Sequence, residues 1–153
     1  MQRKTILLID DDSDDAEFFA DALSGFVEDI ILRCAEGGGQ ALQLLPDMET
    51  LPELILLDAG MPKMNGWECL KLLKEDSRFK EIPVIMTATS SRRQGIDEAR
   101  VLGAEAYIIK PFDFNDLKYL IQSICSGLEG RLEEVLSALE SEKPQTIFFF
   151  PKN

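Results

Sequence analysis

Short apolar runs alternate along this chain with longer stretches in which apolar residues recur every three or four positions. Thr5-Ile6-Leu7-Leu8-Ile9, Ile30-Ile31-Leu32-Arg33-Cys34, Leu54-Ile55-Leu56-Leu57, Ile82-Pro83-Val84-Ile85-Met86-Thr87 and Ala106-Tyr107-Ile108-Ile109 are the short runs. Near-continuous Leu, Ile and Val over so few residues marks strands covered on both faces, as in a parallel sheet. After the first run, Phe18, Phe19, Ala22, Leu23 and Phe26 have helical spacing, with Ser13 or Asp14 as the expected N-cap. Gln40 to Leu45 is a short helix stopped by Pro46, and a helix from Asn65 or Gly66 to about Glu75 carries Trp67, Leu70 and Leu73 on one face. A polar helix from about Arg92 to Leu102 ends at Gly103, and Asp113 or Asn115 opens a last one with Leu117, Leu120, Ile121 and Ile124 at core spacing. Five strand–helix units with short connections predict an α/β fold, a doubly wound (βα)5 domain on a five-stranded parallel sheet with right-handed crossovers.

The chain continues past the fifth unit. Leu128, Leu132, Val135, Leu136 and Leu139 fit a further amphipathic helix, separate or continuous with the fifth through Gly127 and Gly130. Thr146-Ile147-Phe148-Phe149-Phe150 follows Pro144, and three adjacent phenylalanines are expected to be buried on this chain, a second copy or a partner. The expected organisation is one domain over residues 4–126 and a C-terminal helical extension, with its Phe-rich tail, over 127–153. The extension is too short for a separate output domain.

Composition narrows the functions. A net charge of −12 argues against a direct grip on nucleic-acid phosphates. The chain has no histidine, which removes Ser-His and Cys-His nucleophiles, His-ligated zinc and a phosphohistidine of its own. Cys34, Cys69 and Cys125 are far apart among apolar neighbours and read as reduced packing residues. Met1-Gln2-Arg3-Lys4 leads straight into a strand without a signal-peptide core, and no apolar run reaches 18 residues. The expectation is a cytoplasmic protein with no membrane insertion.

The carboxyl ends of the strands carry the candidate chemistry: Asp10 and Asp11, Asp58, Thr87 and Lys110. In a parallel sheet these ends share one edge, where open α/β sheets bind ligands. Three carboxylates there repel one another unless a cation sits among them, and few carboxylates with room for water suit Mg²⁺. With the cation bound, Asp58 can attack phosphorus, Lys110 can neutralise a phosphoryl oxygen and the Thr87 hydroxyl can hydrogen-bond another. Asp10, Asp12 and Asp14 also resemble the start of an EF-hand loop. However, Asp15 stands where glycine is required and no bidentate Glu closes the loop. Asp12, Asp14 and Asp15 are therefore expected to be helix-cap and surface charges.

Leu8-Ile9-Asp10-Asp11, Leu57-Asp58 with Met61-Pro62 and Asn65-Gly66, Pro83-Val84-Ile85-Met86-Thr87-Ala88 and Lys110-Pro111-Phe112 occur in order. In them the chain resembles the receiver domain of two-component response regulators, over roughly residues 4 to 126. The resemblance implies a flavodoxin-like fold, Asp58 as phosphoacceptor, and Mg²⁺ bound by Asp10, Asp11, Asp58 and the Gly60 carbonyl. It implies Lys110 as the phosphate contact, with Thr87 and Tyr107 as switch residues. A histidine kinase or phosphotransfer protein would donate the phosphoryl group. A downstream protein would read the change, and a homodimer could form through the extension or the face made by the fourth helix, fifth strand and fifth helix. Gly60 and Thr89 depart from the family's common residues beside the acceptor, which implies a phosphorylated state of modest lifetime. The alternatives are a haloacid-dehalogenase-type phosphatase, with Asp10 as nucleophile and Asp12 as acid/base, or an adaptor that binds through its Phe cluster without phosphorylation. Asp14 stands where the phosphatase would have Thr or Val, and no cap region is present.

Overall fold

The computed structural model describes residues 3–26, 29–90 and 92–152, so Met1, Gln2, Val27, Glu28, Ser91 and Asn153 lie outside the described residues. The expected alternation is present as β1 (Lys4–Ile9), α1 (Ser13–Leu23), β2 (Ile30–Ala35), α2 (Gly38–Leu44), β3 (Leu54–Asp58), α3 (Gly66–Glu75), β4 (Val84–Ala88), α4 (Arg93–Leu102), β5 (Ala106–Ile109) and α5 (Phe114–Ser126). Beyond them come α6 (Leu132–Glu142) and a further strand, β6 (Ile147–Phe149). The sheet order is β2-β1-β3-β4-β5-β6, with parallel pairing up to β5 and antiparallel pairing between β5 and β6.

The expected five-stranded parallel sheet is therefore a six-stranded mixed one. A bare β5 edge would leave a row of unpaired backbone groups. α6 turns the chain back so that the Phe-rich segment fills that row: Ile109 N–H donates to Thr146 O at 2.9 Å and Phe150 N–H to Glu105 O at 3.0 Å. The strand alternation then divides the aromatic run between the two faces of the sheet. Ile147 and Phe149 join the layer containing Leu136 and Leu139 of α6, whereas Phe148 and Phe150 join the opposite layer. Ile147 and Phe150 are thus buried on their own chain, with Phe148 and Phe149 half-buried beside them. The outer edge of β6 is closed as well, because the Glu140 carboxylate accepts from Phe149 N–H at 2.9 Å and Lys143 O from Ile147 N–H at 3.1 Å.

The same period-two logic builds the core. Leu7, Ile9, Ile55 and Leu57 point to the face covered by α2, α3 and α4, while Ile6, Leu8, Leu54 and Leu56 point to the face covered by α1, α5 and α6. Cys69 and Cys125 are buried packing residues as expected, but Cys34 is exposed on the edge strand β2. α5 and α6 are separate helices, since Gly130 takes a left-handed φ of 87° in the turn between them. Among the described residues no helix is long and apolar enough to cross a membrane.

The helix starts set the functional edge. α1 is capped by Asp12, one residue before the expected positions: its side chain accepts from the backbone of Asp14 at 2.9 Å and of Asp15 at 3.4 Å. Asn65 caps α3 by accepting from Glu68 N–H at 2.9 Å, and Asp113 caps α5. α2 begins earlier than expected, at Gly38, so two of the three consecutive glycines are helical.

Candidate functional site

The carboxyl ends of β1, β3, β4 and β5 meet around one cleft of about 520 Å³, lined among others by Asp11, Asp58, Gly60, Tyr107 and Lys110. Asp10 follows β1 and is 4% exposed. Its Oδ1 accepts the Asp12 N–H at 3.0 Å and its Oδ2 accepts from Lys110 Nζ at 3.1 Å. Asp58 ends β3, is 7% exposed, and places Oδ1 3.2 Å from the same ammonium. Carboxylate oxygens of Asp10, Asp11 and Asp58 all lie within 4.8 Å of one another. All of these sequence-predicted acids therefore come together.

Electrostatics at this edge are unbalanced toward negative charge. Burial, opposed by the Asp12 N–H and the Lys110 charge and reinforced by Asp58, pushes the Asp10 carboxyl up to about 6. Burial works against the Lys110 charge, but the hydrogen bond to Asp15 and the charges of Asp58 and Asp10 outweigh it and hold the ammonium above its ordinary range. Three carboxylates gathered at one edge, two of them buried, offer the hard oxygen donors that a divalent cation such as Mg²⁺ prefers.

A stability consequence follows with a definite sign. With a native pKa near 6 against 3.8 for the free group, folded Asp10 binds more protons than unfolded Asp10, so stability falls as pH rises between those values. Asn at position 10 keeps the acceptor for the Asp12 N–H and carries no charge. In chelator, Asp10→Asn is expected to stabilise the protein by about 1–3 kcal/mol at pH 7.5, with a smaller gain at pH 5. Urea unfolding at both pH values checks this, and an equal gain at both would contradict the charge argument.

On β4, Thr87 is paired in register with Asp58, so both side chains leave the sheet on the same side. Thr87 is 2% exposed, and its Oγ1 has no hydrogen-bond partner among the described residues. A buried hydroxyl in that condition costs about 1–3 kcal/mol. Tyr107 on β5 is buried and turns its hydroxyl toward the cleft, donating to Ser90 O at 3.4 Å. Burial first, and then the Asp58 charge, raise its phenol. A Cβ built at Gly60 would meet nothing within 4 Å, so the approach beside Asp58 is open.

Two contributors were not legible as site residues. Asp15, expected to be a surface charge, reaches from the first turn of α1 to Lys110 Nζ at 2.6 Å, the shortest of the three contacts to that ammonium. Asp12 and Asp14 do stay at the cap and surface. Trp67, expected on the core face of α3, is half-buried and lines the cleft, its Nε1 donating to Gly95 O of α4 at 3.0 Å.

Comparison with known proteins places the whole fold in a family. The model of the response regulator receiver domain family matches residues 6–122. The chemotaxis protein CheY1 of Helicobacter pylori is 34% identical over 119 residues, which is 78% of this chain and 94% of that protein. The phosphorylated cyanobacterial phytochrome response regulator RcpA superposes with a TM-score of 0.77 at 27% identity, covering 84% of this chain and 96% of that one. The Mn²⁺-bound form of the response regulator Rcp1 gives 0.74 at 30% identity, covering 83% of this chain and 96% of that one. The chain belongs to the response regulator receiver domain family and is a receiver of two-component signalling.

Proposed function

We propose that Asp58 is the phosphoacceptor of this receiver and that Asp10, Asp11, Asp58 and the Gly60 carbonyl hold a Mg²⁺ ion beside it. The observation that carries the reading is the arrangement around Asp58: Lys110 Nζ stands 3.2 Å from Oδ1, and the unpartnered Thr87 hydroxyl is in register on the next strand. The metal, when bound, neutralises negative charge that would otherwise repel a phosphoryl donor. An Asp58 oxygen forms a bond to phosphorus as the donor's phosphorus–nitrogen bond breaks, and the imidazole of a histidine kinase or phosphotransfer protein leaves. Lys110 stays charged and faces one phosphoryl oxygen, while Thr87 donates its hydroxyl hydrogen to another and so gains its missing partner. Asp10 is a poorer nucleophile because both its oxygens are already engaged, and Asp12, the acid/base of the phosphatase alternative, serves as a helix cap.

Phosphorylation adds about −1.5 to −2 charges at this edge. Thr87 and Tyr107 respond first, and the change spreads to α4, β5 and α5. In this chain β6 lies along β5, so a downstream protein, or a second copy in a homodimer, would meet that face with β6 included. The reading is tested by intact-mass spectrometry after incubation with acetyl phosphate and Mg²⁺. One phosphoryl adduct is expected, mapping to the peptide that contains Asp58, lost in chelator and decaying once the donor is removed. An unmodified protein in the presence of Mg²⁺ would count against it.

A further inference from the structure

Lys110 is held by an acid that lies outside the acidic trio. Its side chain leaves the end of β5, where its N–H is fixed by Ala88 O at 2.7 Å, and its ammonium touches Asp10, Asp58 and Asp15. Asp15 makes the shortest of these contacts, at 2.6 Å, and its side chain is 34% exposed against 13% for Lys110. The Asp12 cap fixes the first turn of α1 from which Asp15 projects. A lysine head is a point charge with three donors on a flexible four-carbon stem, and its orientation over a reacting group is lost unless something anchors it.

We propose that Asp15 is a positioning residue for phosphoryl transfer: it anchors the Lys110 ammonium over Asp58 through the reaction. The inference rests on the reading of Asp58 as acceptor. A cation among Asp10, Asp11 and Asp58 competes with Lys110 for two of its three carboxylates. Asp15 is outside that set and keeps its hold. As phosphorus arrives, one ammonium donor moves from Asp58 Oδ1 to a phosphoryl oxygen while another stays on Asp15. The head is then preorganised before the reaction begins.

A simple charge at position 15 predicts something different from an anchor. Removing a negative charge eases the approach of an anionic donor, raising the rate at low donor and leaving the maximal rate alone. Removing an anchor lowers the maximal rate. Adduct formation is measured by intact mass over a series of acetyl phosphate concentrations at saturating Mg²⁺, for wild type, Asp15→Asn, Lys110→Ala and the double variant. Asp15→Asn is expected to lower the maximal rate by about tenfold. In the Lys110→Ala background the same substitution should change the rate by less than about twofold, because the two residues act as a unit. An unchanged or raised maximal rate for Asp15→Asn overturns the inference, as does an undiminished tenfold loss in the Lys110→Ala background. An adduct on wild type with Asp15→Asn unaffected defeats this inference alone. No adduct on wild type defeats the acceptor reading and this inference with it.

Discussion

Asp58→Asn is expected to take up essentially no phosphoryl group from acetyl phosphate and Mg²⁺, a loss of at least about 100-fold in the rate of adduct formation. The substitution exchanges one carboxylate oxygen for an amide nitrogen and leaves shape and volume almost unchanged. On the reading of Asp58 as acceptor, what disappears is the anionic nucleophile, and the trio Asp10, Asp11 and Asp58 loses one of its three carboxylates. The fold should not suffer. Lys110 retains Asp10 at 3.1 Å and Asp15 at 2.6 Å, and Asp10 loses a neighbour whose charge had opposed its ionisation. The variant should therefore unfold at least as late in urea as the wild type, which separates lost chemistry from lost structure. Intact mass and peptide mapping read the outcome. An Mg²⁺-dependent adduct persisting in the variant and mapping to Asp10 would favour the phosphatase-type alternative, although Asp10 has both oxygens occupied.

The parallel part of the sheet was legible because burial on both faces leaves a direct trace: no polar residue interrupts Leu54-Ile55-Leu56-Leu57, and all four are buried. The site was legible for a related reason. Parallel strands put their carboxyl ends on one edge, so Asp10, Asp58, Thr87 and Lys110 had to converge once the strands were recognised. β6 was not legible as a strand of this sheet. Thr146 to Phe150 announces burial, but its partner is the far edge of β5, antiparallel, and local periodicity carries no information on which edge a segment joins. The choice of Ser13 or Asp14 as the α1 N-cap is off by one residue for a different reason, although Asp12 was among the acids expected at the cap. Asp12, Ser13 and Asp14 are all competent caps, and only the backbone geometry after Asp10 selects Asp12. That one-residue difference matters, because it belongs to the geometry that brings Asp15 to Lys110.

Gly66→Ala is expected to destabilise the protein by about 2–3 kcal/mol and, on the reading of Asp58 as acceptor, to slow its phosphorylation, although residue 66 carries no side chain of its own. Gly66 is the first residue of α3, and its N–H donates to Ala59 O at 3.1 Å. A Cβ there would stand 2.5 Å from Asp58 O, 2.7 Å from Ala59 Cα and 2.8 Å from Met86 Cε. Met86 Cε can swing away, but the other two atoms are backbone of β3 and the loop after it. Relief must come from α3 moving off the sheet or from the Asp58–Ala59 peptide shifting, and either displaces Asp58 relative to Lys110. Gly39→Ala provides the control: residue 39 lies in α2, and a Cβ there meets nothing within 4 Å. Since alanine is the better helix former, that variant should be neutral or stabilised by up to about 1 kcal/mol. Urea unfolding of the pair, with adduct formation measured alongside, separates close approach from a generic effect of replacing glycine. If Gly66→Ala unfolded with the wild type, the contact between α3 and β3 would have to be looser than these distances require.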